Sequence, residues 1–233
     1  MAKDSICLAC EENTDTEAFL YEFYLHPDSR FQLGLYKEDV LAEAAKRSFE
    51  ILADTSIGHI LDIIEEHIDE LPEVITSNIP QFSNIYDVDV IPRIVVTNPG
   101  CEYAMMGYYY NKDGKYDAQR KYGENHYKAA ALLGLVTDAP PFDATYLGRE
   151  YIHLPEETKD LIRPRLCLRI PIIDICLIEG RKGPYDGMKE VRRLLTESTS
   201  VRRRSSMKQM INQVLKSIPE KDRSIIIDNI SWK

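Results

Sequence analysis

Tyr127-Lys128-Ala129-Ala130-Ala131-Leu132-Leu133-Gly134-Leu135-Val136-Thr137, followed by Asp143-Ala144-Thr145-Tyr146-Leu147-Gly148, decides how this chain of 233 residues is read. The first part completes a helix that opens at Asp117. Ala118, Tyr122, Ala129, Leu132 and Leu133 recur on one face, while Arg120, Lys121, Glu124, Asn125 and Lys128 occupy the other. Gly134 suits the left-handed position that ends a helix, because it has no Cβ to clash there. Leu135 to Thr137 predicts a short strand, Asp138-Ala139-Pro140-Pro141 a loop, and Asp143 to Gly148 a returning strand. Another helix is expected at 156–167. Helix, two-stranded hairpin, helix is the pattern of a mainly α protein with short β-hairpins.

Working outward, residues 16–26 read as helix or strand, closed by Pro27. Residues 37–53 predict a helix with Leu41, Ala44, Ala45, Phe49 and Leu52 on one face. Residues 55–70 continue it, with Ile57, Ile60, Leu61, Ile64 and Ile68 opposite Asp62, Glu65, Glu66, Asp69 and Glu70. Pro72 and Thr76-Ser77-Asn78 break the periodicity, so a boundary is placed near 72–85. Residues 1–80 form an acidic helical region, read as a packing layer or as the surface for a homodimer or partner subunit. Residues 81–180 form a first module. It opens with a β-rich stretch at 85–97 and the turn Asn98-Pro99-Gly100. Residues 170–179 are almost wholly apolar, and length does not decide between a core helix and a strand. Residues 181–233 form a second module of helix (186–196), Ser/Thr turn, basic helix (199–218) and strand (Ile225-Ile226-Ile227), the layout of a helix-turn-helix.

Charge is divided along the same line. Residues 1–100 hold twenty Asp/Glu and six Lys/Arg, a net of −14. Residues 181–216 hold ten Lys/Arg and three Asp/Glu, a net of +7 in a chain whose total is −9. At the centre lies Glu197-Ser198-Thr199-Ser200-Val201-Arg202-Arg203-Arg204-Ser205-Ser206-Met207-Lys208. A Ser/Thr tract followed by three arginines offers amides, hydroxyls and guanidinium groups to phosphate oxygens. A local positive face on an acidic chain points to nucleic acid. The contact set expected there is Thr199, Ser200, Arg202, Arg203, Arg204, Ser205 and Lys208.

The block 127–150 also follows the order of a winged helix. It is similar to winged-helix modules of bacterial restriction and defence proteins, where a recognition helix ends in A-x-x-L-G-L-V and the wing returns at T-x-x-G-R. Here these are Ala130 to Val136 and Thr145 to Arg149. Thr199-Ser200-Val201-Arg202-Arg203 resembles the T-x-x-R-R start of a second recognition helix in such tandem arrays. The resemblance spans roughly residues 90–217. It implies two winged-helix-like modules, double-stranded DNA as the partner, and a role in a restriction or defence system. In the second module, Thr199, Ser200, Arg202, Arg203 and Ser205 would sit where base edges and phosphates are reached. In the first, the analogous set is Arg120, Lys121, Asn125 and Lys128, with Asn125 able to read adenine. The nuclease or ATPase domain often attached to such modules has no counterpart in this sequence.

Other chemistry leaves fainter traces. No run of about 18 apolar residues is present, so no membrane span is expected. The start, Met1 to Cys7, does not read as a signal peptide. Five cysteines at 7, 10, 101, 167 and 176 suit reduced thiols and a cytoplasmic setting. Cys7 and Cys10 form a CxxC pair without a second pair of zinc ligands, so no metal site is assigned. The rival to a pure DNA binder is a Mg²⁺-dependent endonuclease, whose carboxylates would come from Pro27-Asp28, Asp87, Asp89, Glu102, Asp174, Glu179 or the Glu157-Thr158-Lys159 triplet. None of these has the Glu-x-Lys spacing on a strand, and no catalytic residue is assigned. A second rival is a protein-interaction subunit with no DNA affinity. His26, His59, His67, His126 and His153 are not clustered in the sequence. Tyr108-Tyr109-Tyr110, with Tyr116, Tyr122 and Tyr127, either stack on bases or form a core edge or interface.

Overall fold

Side-chain caps set where helices begin in this chain. Asp4 accepts a hydrogen bond from the Cys7 amide at 2.9 Å, Asp15 from Ala18 at 3.1 Å, Ser56 from His59 at 3.1 Å and Thr145 from Gly148 at 3.0 Å. Each satisfies an amide that a first turn leaves without an intrahelical partner. The computed structural model describes residues 4–27, 36–82, 84–138 and 140–233. Its elements begin with α1 (Ser5–Ala9), α2 (Thr16–Leu25), α3 (Glu38–Asp54), α4 (Ile57–Glu66), α5 (Val90–Thr97), α6 (Tyr103–Tyr108) and α7 (Tyr116–Leu132). They continue with α8 (Tyr146–Tyr151), α9 (Glu156–Cys167), α10 (Pro171–Lys182), β1 (Tyr185–Asp186), α11 (Lys189–Leu194), α12 (Glu197–Leu215), α13 (Glu220–Asn229) and β2 (Ile230–Ser231). Short 3-10 turns lie at Ile68–Glu70, Thr76–Asn78 and Ile85–Asp89. The protein is mainly helical. β1 and β2 pair in parallel, Tyr185 opposite Ile230 and Asp186 opposite Ser231. Among the described residues no helix is long and apolar enough to cross a membrane.

The apolar faces expected on α3 and α4 are buried. Leu41, Ala44, Ala45, Phe49 and Leu52 of α3 pack against α1, α8 and α9, while Ile57, Ile60, Leu61 and Ile64 of α4 pack against α2 and α10. Their acidic faces point outward. The buried side chains form one cluster from Ile6 to Ile230, so residues 1–80, 81–180 and 181–233 share a core. The Tyr24 hydroxyl, for example, donates to the Arg165 carbonyl at 3.2 Å.

Four stretches expected as strands, 85–97, 135–137, 143–148 and 225–227, are otherwise, the second and third meeting only at one bridge. Residues 85–97 form a 3-10 turn and then α5. Pro92 falls in the first turn of α5, where its missing N–H costs no intrahelical bond. Ile91, Ile94 and Val95 recur at helical spacing and are buried, so core packing overrides their β-branched preference. The returning strand at 143–148 shrinks to one antiparallel bridge, Val136 with Ala144, flanked by the bonds Thr137 N to Asp143 O at 2.9 Å and Thr145 N to Leu135 O at 3.1 Å. Thr145 then caps α8, which ends the extended backbone. Ile225 to Ile227 lie inside α13, where Ile226 alone of the three is buried. The undecided segment 170–179 is helical, opened by Pro171 at the first position of α10.

Gly134 ends α7 as expected. Its φ is +77°, the Gly134 amide donates to Ala131 O and the Leu135 amide to Ala130 O, both at 2.9 Å. This is the paired C-terminal bond pattern that favours glycine. A tighter use of glycine joins α6 to α7. The two helices meet in antiparallel sense, Tyr103 toward Gly123 and Gly107 toward Gln119. A Cβ at Gly107 would lie 1.7 Å from the Gln119 carbonyl oxygen, and one at Gly123 would lie 1.8 Å from that of Tyr103. Backbone cannot yield as a flexible side chain does. Gly123→Ala is therefore expected to lower stability by about 1–3 kcal/mol through forced helix separation. Urea unfolding measures this, and a change below about 0.5 kcal/mol would contradict the close contact.

Candidate nucleic-acid interface

α12 begins at Glu197, earlier than the Ser/Thr tract implies. The amides of Thr199 and Ser200 already donate to the Thr196 carbonyl, at 3.1 and 2.9 Å. Glu197, an acid, occupies the first position, where the helix dipole favours negative charge. The arginines are thus the sixth to eighth residues of the helix and lie beyond its free N-terminal amides. The groups offered to an anion here are guanidinium groups and not the amides of the helix start.

Successive helical residues point about 100° apart, so three consecutive arginines cannot share one line. Arg202 is exposed, and its Nη2 donates to Thr199 Oγ1 at 3.2 Å. Arg203 and Arg204 are half-buried on the two flanks. Burial, and then the charge of Arg202, lower the pKa of Arg203 from its ordinary value. Ser205 and Lys208 are exposed. Ser200 is buried and donates to the carbonyls of Val191 and Leu195, both at 3.4 Å, which ties α12 to α11 and removes it from the surface. Beside Arg204 a cleft of about 450 Å³ opens, lined also by Met188, Arg192, Leu195, Val201 and Lys233.

Ion pairing separates the cations of the basic stretch. Arg181 reaches Asp62 at 2.7 Å and Lys182 reaches Glu65 at 3.3 Å, so part of the positive excess is matched by the acidic face of α4. Arg192 pairs with Asp186, and Arg193 pairs with Glu190 at 2.8 Å. Among the described residues, Arg202, Arg203, Arg204 and Lys208 have no carboxylate partner.

The first-module set differs. Lys121 and Lys128 both bind Glu124, at 3.0 and 2.6 Å, and their hydrogen bonds hold its carboxyl below the usual range. Asn125 has its amide oxygen buried and without a partner, so that atom does not face an incoming base. Arg120 is exposed.

Comparison with known proteins adds no identity. No family model matches this chain, and no curated protein or solved structure shows significant similarity to it.

The nuclease candidates are scattered. Asp28 lies outside the described residues. Asp174 is fully buried. Glu179 pairs with Lys182 at 3.3 Å. Asp89 is held by Arg163 and by the Tyr151 hydroxyl. Lys159 is buried with its Nζ 5.5 Å from the centre of the Tyr151 ring, while Glu157 is exposed. Among the described residues no group of three His, Cys, Asp or Glu side chains is placed to hold a metal. Cys7 and Cys10 are exposed, and burial, Glu43 and Cys7 together raise the Cys10 pKa, which lowers its nucleophilicity at neutral pH.

Folding does assemble one cluster that spacing conceals. The Tyr21 hydroxyl donates to Glu70 at 2.5 Å and lies 3.2 Å from His26 Nε2, while His67 Nδ1 lies 3.2 Å from Glu70. His26 and His67 are 41 positions apart, and no periodic signal connects them. The cluster is exposed and joins the end of α2 to the end of α4.

Proposed function

We propose that this chain binds duplex DNA through the cationic side of α12. The observation that carries this reading is the contrast in pairing. Four cations within seven residues of one helix lack carboxylate partners among the described residues, while their basic neighbours at 181–193 and on α7 are mostly neutralised. Such cations gain most from displacing counterions on a phosphate backbone. Arg202 and Lys208 present the exposed charge, and Arg203 and Arg204 widen the positive strip on either flank. The α11–α12 pair supplies a helix-turn-helix-like support, fixed by Ser200. For the first module, α5, α6 and α7 followed by the Val136–Ala144 bridge support a winged-helix-like reading. The restriction or defence setting rests on the resemblance of residues 127–150 and 199–204 alone.

The test is anisotropy of labelled duplex DNA against salt, for the wild type, Arg202/Arg203/Arg204→Glu and Lys208→Glu. Wild-type affinity is expected to fall steeply with salt. Each lost phosphate contact should reduce the log–log slope by about 1, and the triple variant should show no binding at moderate salt. Lys208→Glu, at an exposed position, guards against misfolding of the triple variant. Wild-type protein that fails to bind at low salt, or variants that bind as it does, would overturn the reading.

A further inference from the structure

We infer that the α6–α7 hairpin is a stacking surface for unpaired bases of single-stranded DNA, separate from α12. The hairpin carries an unusual display of rings. Tyr108, Tyr109, Tyr116 and Tyr122 are each 48–60% exposed, and Met105 beside them is 49% exposed. A tyrosine that only fills a core edge buries its ring. Tyr103 and Tyr127 do so, packing on Phe142 with ring centres 4.7 Å away in each case. The exposed four are carried by two helices that pack on each other and by their ends, and exposed large apolar side chains gathered on one hairpin point to a binding surface.

The rings are also ordered. Tyr110 stacks on His126 with centres 3.9 Å apart and planes within 15°. Tyr122 lies within 18° of the same imidazole at 6.3 Å. His126 Nδ1 sits 2.8 Å from the Tyr122 carbonyl, a bond that holds the imidazole in plane with this stack. Tyr122, 48% exposed, thus lies nearly parallel to a stacked Tyr110–His126 pair, and an exposed phenol offers a flat face to a further ring. The contact between Gly107 and Gly123 holds the two helices together, so the platform is formed before any ligand arrives.

Charge selects nucleic acid over an apolar peptide. Lys112, Lys115, Arg120 and Lys121 against Asp113 and Asp117 give residues 112–121 a net of +2. Among the described residues, Lys112, Lys115 and Arg120 have no carboxylate partner. Aromatic faces with interleaved cations are what a single strand requires, since stacking takes any base and the cations follow the backbone. A duplex hides its base faces and cannot use these rings. The choice of DNA over RNA rests on the duplex-DNA reading of α12, because an unpaired stretch of the same molecule would be the nearest strand.

The experiment measures anisotropy of labelled oligo-dT, oligo-U and duplex DNA with the full chain. Tyr109→Ala and Tyr122→Ala are each expected to weaken oligo-dT binding about tenfold, with Tyr→Phe at the same positions retaining it. Arg202/Arg203/Arg204→Glu should lose duplex and keep oligo-dT. Oligo-dT binding without duplex binding would remove the α12 reading and leave the stacking surface standing. Wild type that does not bind oligo-dT at low salt, Tyr→Ala variants that bind it unchanged, or loss of oligo-dT in the α12 variant would overturn the proposal. Binding of oligo-U but not oligo-dT would overturn the assignment to DNA.

Discussion

Arg163→Met is expected to lower the unfolding free energy by about 3–5 kcal/mol, because it removes the one cation paired with the largely buried Asp89 carboxylate among the described residues. Arg163 is 3% exposed. Its Nε donates to Asp89 Oδ2 at 2.9 Å, its Nη1 to Asp160 at 2.6 Å, and its Nη2 to both Asp89 and Glu156. The guanidinium also lies 4.6 Å from the centre of the Tyr86 ring. Burial works against its charge, but the bonds it donates to Asp89 and Glu156 outweigh that and raise its pKa. Asp160 and Glu156 are exposed and keep water when Arg163 is lost, so they contribute little. Asp89 is 19% exposed and would retain the Tyr151 hydroxyl, at 2.7 Å, as its remaining donor. The loss should therefore fall on Asp89. Adding Asp89→Asn to Arg163→Met should recover more than half of it, since no buried charge then remains. Arg163→Lys should not rescue, because an ammonium cannot fork toward three carboxylates at once. Urea unfolding at neutral pH measures all four proteins. A loss below about 1 kcal/mol in Arg163→Met would place this network among surface pairs.

Asp174 predicts the second large effect, a pH dependence with the opposite sign from most carboxylates. It sits in the first turn of α10 with no exposed surface, and both carboxyl oxygens are buried without a hydrogen-bond partner. Burial raises its pKa well above the ordinary value. Around it lie Tyr24, Cys167 and Cys176, whose own pKa values are raised by burial and further by the Asp174 charge, that of Cys176 to about 12. Arg165 and Arg169 act on Tyr24 in the opposite sense, but burial is what sets the direction of the Asp174 shift. The folded protein therefore keeps a proton that the unfolded chain releases near pH 3.9. Above that pH the native state binds more protons than the unfolded one, so stability falls as pH rises. The slope is about 1.4 kcal/mol per pH unit until the buried carboxyl ionises in the folded state. Asp174→Asn has no such proton and should remove this slope while keeping the shape. Asp174→Leu should do the same and leave no orphaned polar atom. Unfolding free energies from pH 4.5 to 8 test this. Equal slopes in wild type and Asp174→Asn would show that the carboxyl finds a partner or water in solution.

Asp174 also shows what a sequence pattern conceals. Among Ile170 to Glu179 it looks like a candidate metal ligand in an apolar run, because acidity and apolar neighbours are both features of catalytic sites. Burial without a partner cannot be read from neighbours in the chain. It depends on α2 bringing Tyr24 across the start of α10, some 150 positions away in sequence. The same limit applies to the basic stretch. Its net charge of +7 is plain in the sequence, but Arg181 and Lys182 meet Asp62 and Glu65 of α4 only in the fold. Arg202, Arg203, Arg204 and Lys208 have no carboxylate partner among the described residues for the same reason, since no acidic side chain there comes within pairing distance. Of the candidate contacts, Ser200 could not be separated from Ser205 by composition. The turn of α12 against α11 buries one and exposes the other.

Short-range order was legible where the signal repeats along the chain. Leu41 to Leu52 and Ile57 to Ile64 recur every three or four residues, and a helix is the one backbone that gathers them on a single face. Gly134 follows a helical run, and its missing Cβ lets it take the left-handed conformation that closes α7. Residues 85–97 failed because β-branched side chains fill helix and strand alike once buried, and the deciding contacts come from α7 and α8. The sequence by itself determined a mainly helical chain, acidic at one end and basic at the other, with its helices and one glycine stop largely in place. Tertiary structure alone decided which cations are free, which tyrosines are exposed and which carboxyl is buried. Those properties depend on pairing between residues far apart in the chain, and local periodicity carries no information about such pairs.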